Sequence, residues 1–291
     1  MSPPGPRPAS LWGDAWRRLR RNRLAVACGA FLLLLAALCA GAGALPGLPD
    51  PNAPDFALGA SPPSWPHPFG TDPLGRDLLA RVLHGGRVSL LVSLVATLVS
   101  LLVGVSYGAV AGYAGGKLDE AMMRFVDVLY SLPYLFLVIL LLVFFAKSLV
   151  LLFVALGLVQ WLTMARIVRG QVISLKQQTF VEAARALGAG APRVVFSHLV
   201  PNTLGPVIVY ATLTVPAVML QEAFLSFLGL GVQPPDASWG VLVDEGRKLM
   251  TVFPWLVVFP GLALAGTLFA LNFLGDGLRD ALDPRSRGEA G

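Results

Sequence analysis

The chain has 291 residues, 55% of them hydrophobic and only 13% charged, with a net charge of +5 and a mean hydropathy of +0.70. A soluble domain carries about 25% charged residues, so this composition excludes a water-soluble globule, and its apolar content excludes a disordered chain. The basic excess does not point to nucleic acid, because Lys and Arg fall in short clusters between long apolar runs, as topology signals do. Cys28 and Cys39 share the first apolar run. Helical geometry separates them by about 16 Å, beyond disulfide reach.

A transmembrane helix needs roughly 20 apolar residues. Residues 1–23 form a basic cytoplasmic segment ahead of the first span, residues 24–45. That run is longer than the 7–15 residues of a signal-peptide core, so it reads as an uncleaved span. After an extracytoplasmic loop, 46–87, the second span covers 88–113. A continuous apolar block, 128–165, would reach about 57 Å as one helix, nearly twice the hydrocarbon core. It must fold back, and Lys147 with Ser148 is its only polar interruption. Spans five and six follow at 204–228 and 252–274, with Pro133 and Pro216 as kink sites in spans three and five. The expected fold is an all-α polytopic membrane protein of six transmembrane helices.

With the N-terminus inside, 16 of the 22 Lys and Arg residues lie in cytoplasmic segments and 6 outside. Both termini are then cytoplasmic, residues 286–291 forming a short tail, and 168–203 becomes the longest internal cytoplasmic loop. There the stretch from Phe180 to Leu187 favours a helix, Gly188 and Gly190 end it, Pro192 starts a second helix, and Pro201 stops that one. Two short helices around a glycine turn make a knob suited to docking into another protein. In the outer loop, residues 77–83 suggest an interfacial helix leading into span two. Trp65, Trp239 and Trp255 fall at or near the outer interface, where tryptophan settles.

No nucleotide site belongs to this chain. Gly115-Gly116-Lys117 approaches a P-loop, but Leu118 stands where Ser or Thr would hold Mg²⁺ and Ala111 where the first glycine belongs. His67, His84 and His198 lack ligand spacing, and no nucleophile–base pair can be assembled, so no enzyme is expected. Gly104, Gly108 and Gly112 form a small-residue face on span two for close helix packing, within the chain in preference to between subunits. Gln221 and Glu222 lie near the outer end of span five as a pathway or outer-gate candidate. The shallow depth of Glu222 favours snorkelling or a hydrogen bond to the following loop. Asp276, Arg279 and Asp280 read as a local ion-pair cluster, and Asn272 as a hydrogen-bond partner of a neighbouring helix.

Glu182-Ala183-Ala184, followed by Gly188 and Val200-Pro201, resembles the EAA coupling loop of ABC-importer permeases. The run from Phe69 to Asp77 (FGTDPLGRD), the Gly112–Gly116 stretch with Asp119, Arg124 and Asp127, the run from Glu222 to Pro235, and that from Leu274 to Pro284 narrow the resemblance. Together they are similar to the C-type permease of dipeptide/oligopeptide systems. The resemblance implies a permease core over 88–285 and an ATPase-coupling role for Glu182, Ala183, Ala184, Arg185, Gly188 and Pro201. It implies a second, B-type permease, two cytoplasmic ATPase subunits and an extracytoplasmic binding protein as partners, besides membrane lipid. ATP and Mg would be bound by the ATPases, with no cofactor or metal in this chain. The implied location is a bacterial or archaeal cytoplasmic membrane, and the cargo a di- or oligopeptide or a related solute such as a nickel complex. The rival classes are a stand-alone secondary transporter, which should show inverted repeats and mid-membrane acids, and a non-transporting scaffold using the same knob.

Overall fold

The structure is a computed structural model that describes residues 11–145 and 149–282. Those residues are helical apart from turns, loops and one isolated bridge between Thr71 and Asp77. The basic N-terminal segment holds a helix of its own, α1 (Leu11–Arg21), which buries Ala15 and leaves Trp16 exposed. Asn22 separates it from α2 (Arg23–Gly41), its side chain accepting the Ala25 amide at 3.1 Å, as an N-cap does.

The second span is longer than its apolar run. Helix α3 (Leu78–Ala114) has 37 residues, about 55 Å at 1.5 Å per residue, so it outreaches the hydrocarbon core. The separate interfacial helix expected at 77–83 is instead the first turns of α3, with Asp77 capping them through the Ala80 amide at 2.8 Å. The loop ahead of it is tightly tied. Thr71 Oγ1 donates to Gly59 O at 2.7 Å and accepts from Ser61 N at 2.8 Å. The Asp72 carboxylate takes Arg76 Nε at 2.7 Å and Arg81 Nη1 at 2.8 Å. A loop rich in Pro and Gly is therefore ordered by side-chain bonds to its backbone and by one buried arginine.

The third span departs furthest from expectation. Helices α4 (Gly116–Ser131) and α5 (Tyr134–Phe144) meet at an angle of 81°. Pro133 has no N–H to give and forces Leu132 into an extended conformation, so the chain breaks where a kink was predicted. The predicted turn at Lys147 and Ser148 lies outside the described residues. Helix α6 (Leu149–Leu175) follows. Among the described residues, five helices are long and apolar enough to cross a membrane, and six spans result only if the bent α4–α5 pair is one of them.

Span five also starts earlier than its apolar run. Helices α7 (Thr179–Ala186) and α8 (Ala191–Arg193) flank the glycine turn, and α8 continues through a π-turn (Val194–Leu199) into α9 (Val200–Phe227). Pro201 was expected to stop the second knob helix. The π-turn instead carries the chain past it, with the Val200 amide reaching back to Val195 O, so the second knob helix and span five are one rod. Helix α9 likewise runs on through Pro206 and Pro216. Helix α10 (Trp239–Arg247) leads to α11 (Trp255–Leu282), which starts after Pro254 and continues past residue 274.

Among the described residues, helices α3 and α6 share the most extensive contact. Trp239, expected at the interface, is fully buried, with Nε1 donating to Val82 O at 2.8 Å; Trp65 is exposed. The placement of Trp239 follows from its position as the first residue of α10, wedged against α3, where Ser89 Oγ accepts its backbone amide at 3.0 Å.

Candidate functional site

Helix α7 is laid down by the alternation of its own residues. Val181 and Ala184 are buried, while Glu182, Ala183 and Arg185 are exposed. Val181 joins Val194, Val195 and Leu199 of the π-turn and Met164, Val168 and Val172 of α6 in one apolar cluster, which roots the knob on the end of the bundle. Gly188 closes the helix in the left-handed region at φ 84. The Gly188 amide bonds Arg185 O at 2.9 Å and the Ala189 amide bonds Ala184 O at 3.0 Å, the paired bonds of a Schellman motif. Leu187, at the summit of the turn, is 89% exposed, and Phe196 on the facing π-turn is 52% exposed. The knob therefore presents a carboxylate, an alanine and two large apolar side chains outward.

Arg185 does not pair with Glu182 one turn away. Its guanidinium lies 5.1 Å from the centre of the Tyr113 ring, at the end of α3. Pro201 is exposed on α9, outside the glycine turn. Gly104, Gly108 and Gly112 all face α6. A Cβ would lie 2.6 Å from Met164 Cβ at Gly104, 2.3 Å from Ala165 O at Gly108, and 2.8 Å from Arg169 O at Gly112.

Gln221 and Glu222 are neighbours in sequence but serve different contacts. Gln221 Oε1 accepts Gln160 Nε2 of α6 at 3.2 Å. Glu222 is 2% exposed and accepts Ser226 Oγ at 2.9 Å and Ser238 Oγ at 2.6 Å. It is thus a bonded latch between α9 and the start of α10, without a snorkelling path to water. The ion-pair cluster expected of Asp276, Arg279 and Asp280 does not form among the described residues, where all three are exposed on α11. Asn272 Nδ2 bonds Leu268 O of its own helix at 2.7 Å, leaving the expected neighbour unbonded.

Sequence reasoning missed the polar ties between α4 and α6. Arg169 takes Asp119 in a bidentate grip, and Arg166 Nη2 bonds Asp127 Oδ1 at 2.7 Å. The aspartates of α4 stand eight residues apart and the arginines of α6 three, so their spacing in sequence carried no signal of the pairing. It also missed the outer network in which Arg81 Nη1 joins Asp72 to Glu245 of α10, at 2.8 and 2.9 Å.

Residues 104–288 match the family model described as binding-protein-dependent transport system inner membrane component. Residues 10–63 match the N-terminal TM domain of oligopeptide transport permease C. The oligopeptide transport system permease protein OppC of Escherichia coli strain K12 is 51% identical over 280 residues, covering 96% of this chain and 92% of that protein. The dipeptide transport system permease protein DppC of Bacillus subtilis is 48% identical over 277 residues, covering 94% and 86%. Among solved structures, the inward-facing MetNI methionine ABC transporter matches with a TM-score of 0.54 at 18% identity, over 71% of this chain and 98% of its own. That likeness concerns the fold.

Proposed function

The chain belongs to the family of binding-protein-dependent transport system inner membrane components, and from that premise we propose that it is a permease subunit of an ABC importer for di- or oligopeptides or a related small solute. It pairs with a second, B-type permease, and the substrate path runs between the two. Two ATPase subunits hold ATP and Mg and seat the knobs, and an extracytoplasmic binding protein delivers the cargo. The membrane is the bacterial or archaeal cytoplasmic membrane, with both termini of the chain inside. The chain performs no chemistry itself.

One observation carries this reading: the Schellman-closed knob, rooted by Val181 and Ala184 and offering Glu182, Ala183 and Leu187 outward. Its second arm is continuous with α9, so force on the knob acts directly on a membrane-spanning rod, which supports a coupling role. In the mechanism, closure of the ATPases on ATP moves the knobs, the rods turn the cavity outward, and hydrolysis resets them.

The test is reconstitution with the B-type permease, the ATPases and the binding protein, followed by uptake of a labelled oligopeptide. ATP-dependent uptake that Gly188→Val abolishes at equal expression supports the reading. Uptake without ATPases points to a secondary transporter, and ATPase binding without uptake to a scaffold.

A further inference from the structure

Most of the outward surface of the long helices is purely apolar, as lipid requires. Leu33 on α2 is 75% exposed, Leu102 on α3 72% and Leu262 on α11 65%. One face breaks that pattern. On α6, Gln160, Thr163 and Arg166 follow one another at three-residue spacing, each about 4.5 Å further along the axis. Gln221 of α9 bonds the first of them, the Tyr130 hydroxyl of α4 bonds the second, and Asp127 of α4 bonds the third. The Arg166 guanidinium also stacks 4.1 Å from the centre of the Tyr130 ring.

The six side chains are accessible from outside the subunit. Tyr130 is 46% exposed, and the Arg166 and Asp127 side chains 43% and 60%; both glutamines and Thr163 are half-buried. Asp127 and Arg166 lie at the cytoplasmic edge of this face, while Gln160, Thr163 and Gln221 lie within the spans, where hydrocarbon has no hydrogen bonds to offer and polar residues face cavities or partners. Nor do the internal bonds exhaust them. The glutamine pair uses one N–H and one carbonyl, so the Gln160 carbonyl and the Gln221 amide N–H groups have no bond among the described residues.

We propose that this face of α4, α6 and α9 is a track that hydrogen-bonds the main chain of a translocating peptide, an inference that rests on the importer reading above. Amide and hydroxyl groups in series match the alternating N–H and C=O of an extended peptide and ignore its side chains.

The experiment places the photoreactive residue p-benzoylphenylalanine at Gln160, and at Leu33 as a reference, in the full transporter reconstituted in vesicles. A labelled tripeptide is supplied with the binding protein and ATP. ATP-dependent peptide adducts at Gln160 and none at Leu33 are expected. Adducts at Gln160 with lipid alone, or with the partner permease alone, overturn the track. A second measurement uses the Gln160→Leu, Gln221→Leu double variant, which should lower uptake about tenfold for tripeptides of different side chains, with assembly and binding-protein affinity unchanged. Undiminished uptake overturns the track, as does a loss confined to one peptide. Wild-type vesicles that take up no peptide overturn the importer reading itself, whereas wild-type uptake with lipid-only adducts removes the track alone.

Discussion

Arg169 of α6 grips Asp119 of α4 through two parallel hydrogen bonds, Nε to Oδ1 at 2.6 Å and Nη2 to Oδ2 at 2.7 Å. Asp119 lies in the first turn of α4, just past the Gly115–Gly116 turn, and the Arg169 carbonyl sits against Gly112 of α3. Beside it, Lys176 Nζ donates to Gly112 O at 2.8 Å. The α3–α4 hairpin is thereby clamped to α6 directly before the chain enters the knob. A double-mutant cycle with Asp119→Asn and Arg169→Gln should give a coupling of about 1–2 kcal/mol in thermal unfolding. The bidentate geometry lifts the value above an ordinary surface pair, and the partial exposure of Arg169 keeps it below a buried one. Additive single effects would show that the clamp is ornamental.

Gly188 offers a test of conformation without crowding. Nothing lies within 4 Å of a Cβ built there, yet its φ of +84 is one that side chains rarely adopt. Gly188→Val should therefore cost about 1–2 kcal/mol locally through backbone strain alone. Gly188→Asn, which tolerates the left-handed region, should cost clearly less. Retention of the ATPase subunits on co-purification should rank wild type first, Asn next and Val last. Equal loss in both variants would mean that the site reads a missing side chain at that position.

Much of this was legible because lipid makes simple demands. Hydropathy located the apolar runs, the glycines that end the 180–187 helix located a turn at Gly188, and the motif resemblance to oligopeptide-type permeases is borne out by the relatives. The boundaries were not legible, for local reasons. Asp77 caps a helix that hydropathy starts ten residues later, and a π-turn lets a helix pass Pro201. At Pro133, where the sequence predicted only a kink, the span breaks at 81°. The pairs Asp119–Arg169 and Arg81–Glu245 join residues far apart in sequence, so no local pattern announces them.

Gly108 is the tightest point of the α3–α6 seam, with a Cβ there 2.3 Å from Ala165 O and 3.0 Å from Ala165 C and Cα. Backbone cannot step aside as a flexible side chain does. Gly108→Ala should destabilise by about 1–3 kcal/mol, the usual cost of overpacking. Gly261→Ala on α11 is the control, since nothing lies within 4 Å of its Cβ. It should be neutral or slightly stabilising, because alanine gives up less backbone freedom than glycine in a helix. Thermal melting in detergent separates the two, and equal melting points would show that α3 and α6 do not approach this closely.

Asp244 of α10 makes a prediction about pH. Burial raises its carboxyl, but Lys248 and Arg247 more than offset that, and the net shift is below the ordinary value of 3.8. Arg247 Nε lies 2.6 Å from Oδ1 and Lys248 Nζ 2.7 Å from Oδ2. A carboxylate held low in the folded state contributes stability above its unfolded value and loses it as pH falls through the folded one. The difference in melting temperature between wild type and Asp244→Asn should accordingly stay level between about pH 8 and 5, and close only below about pH 4. Protonation of other carboxylates at acid pH acts on both proteins and cancels in the difference. A gap that closes near about pH 6, where histidines titrate, would place the controlling charge elsewhere in the outer network.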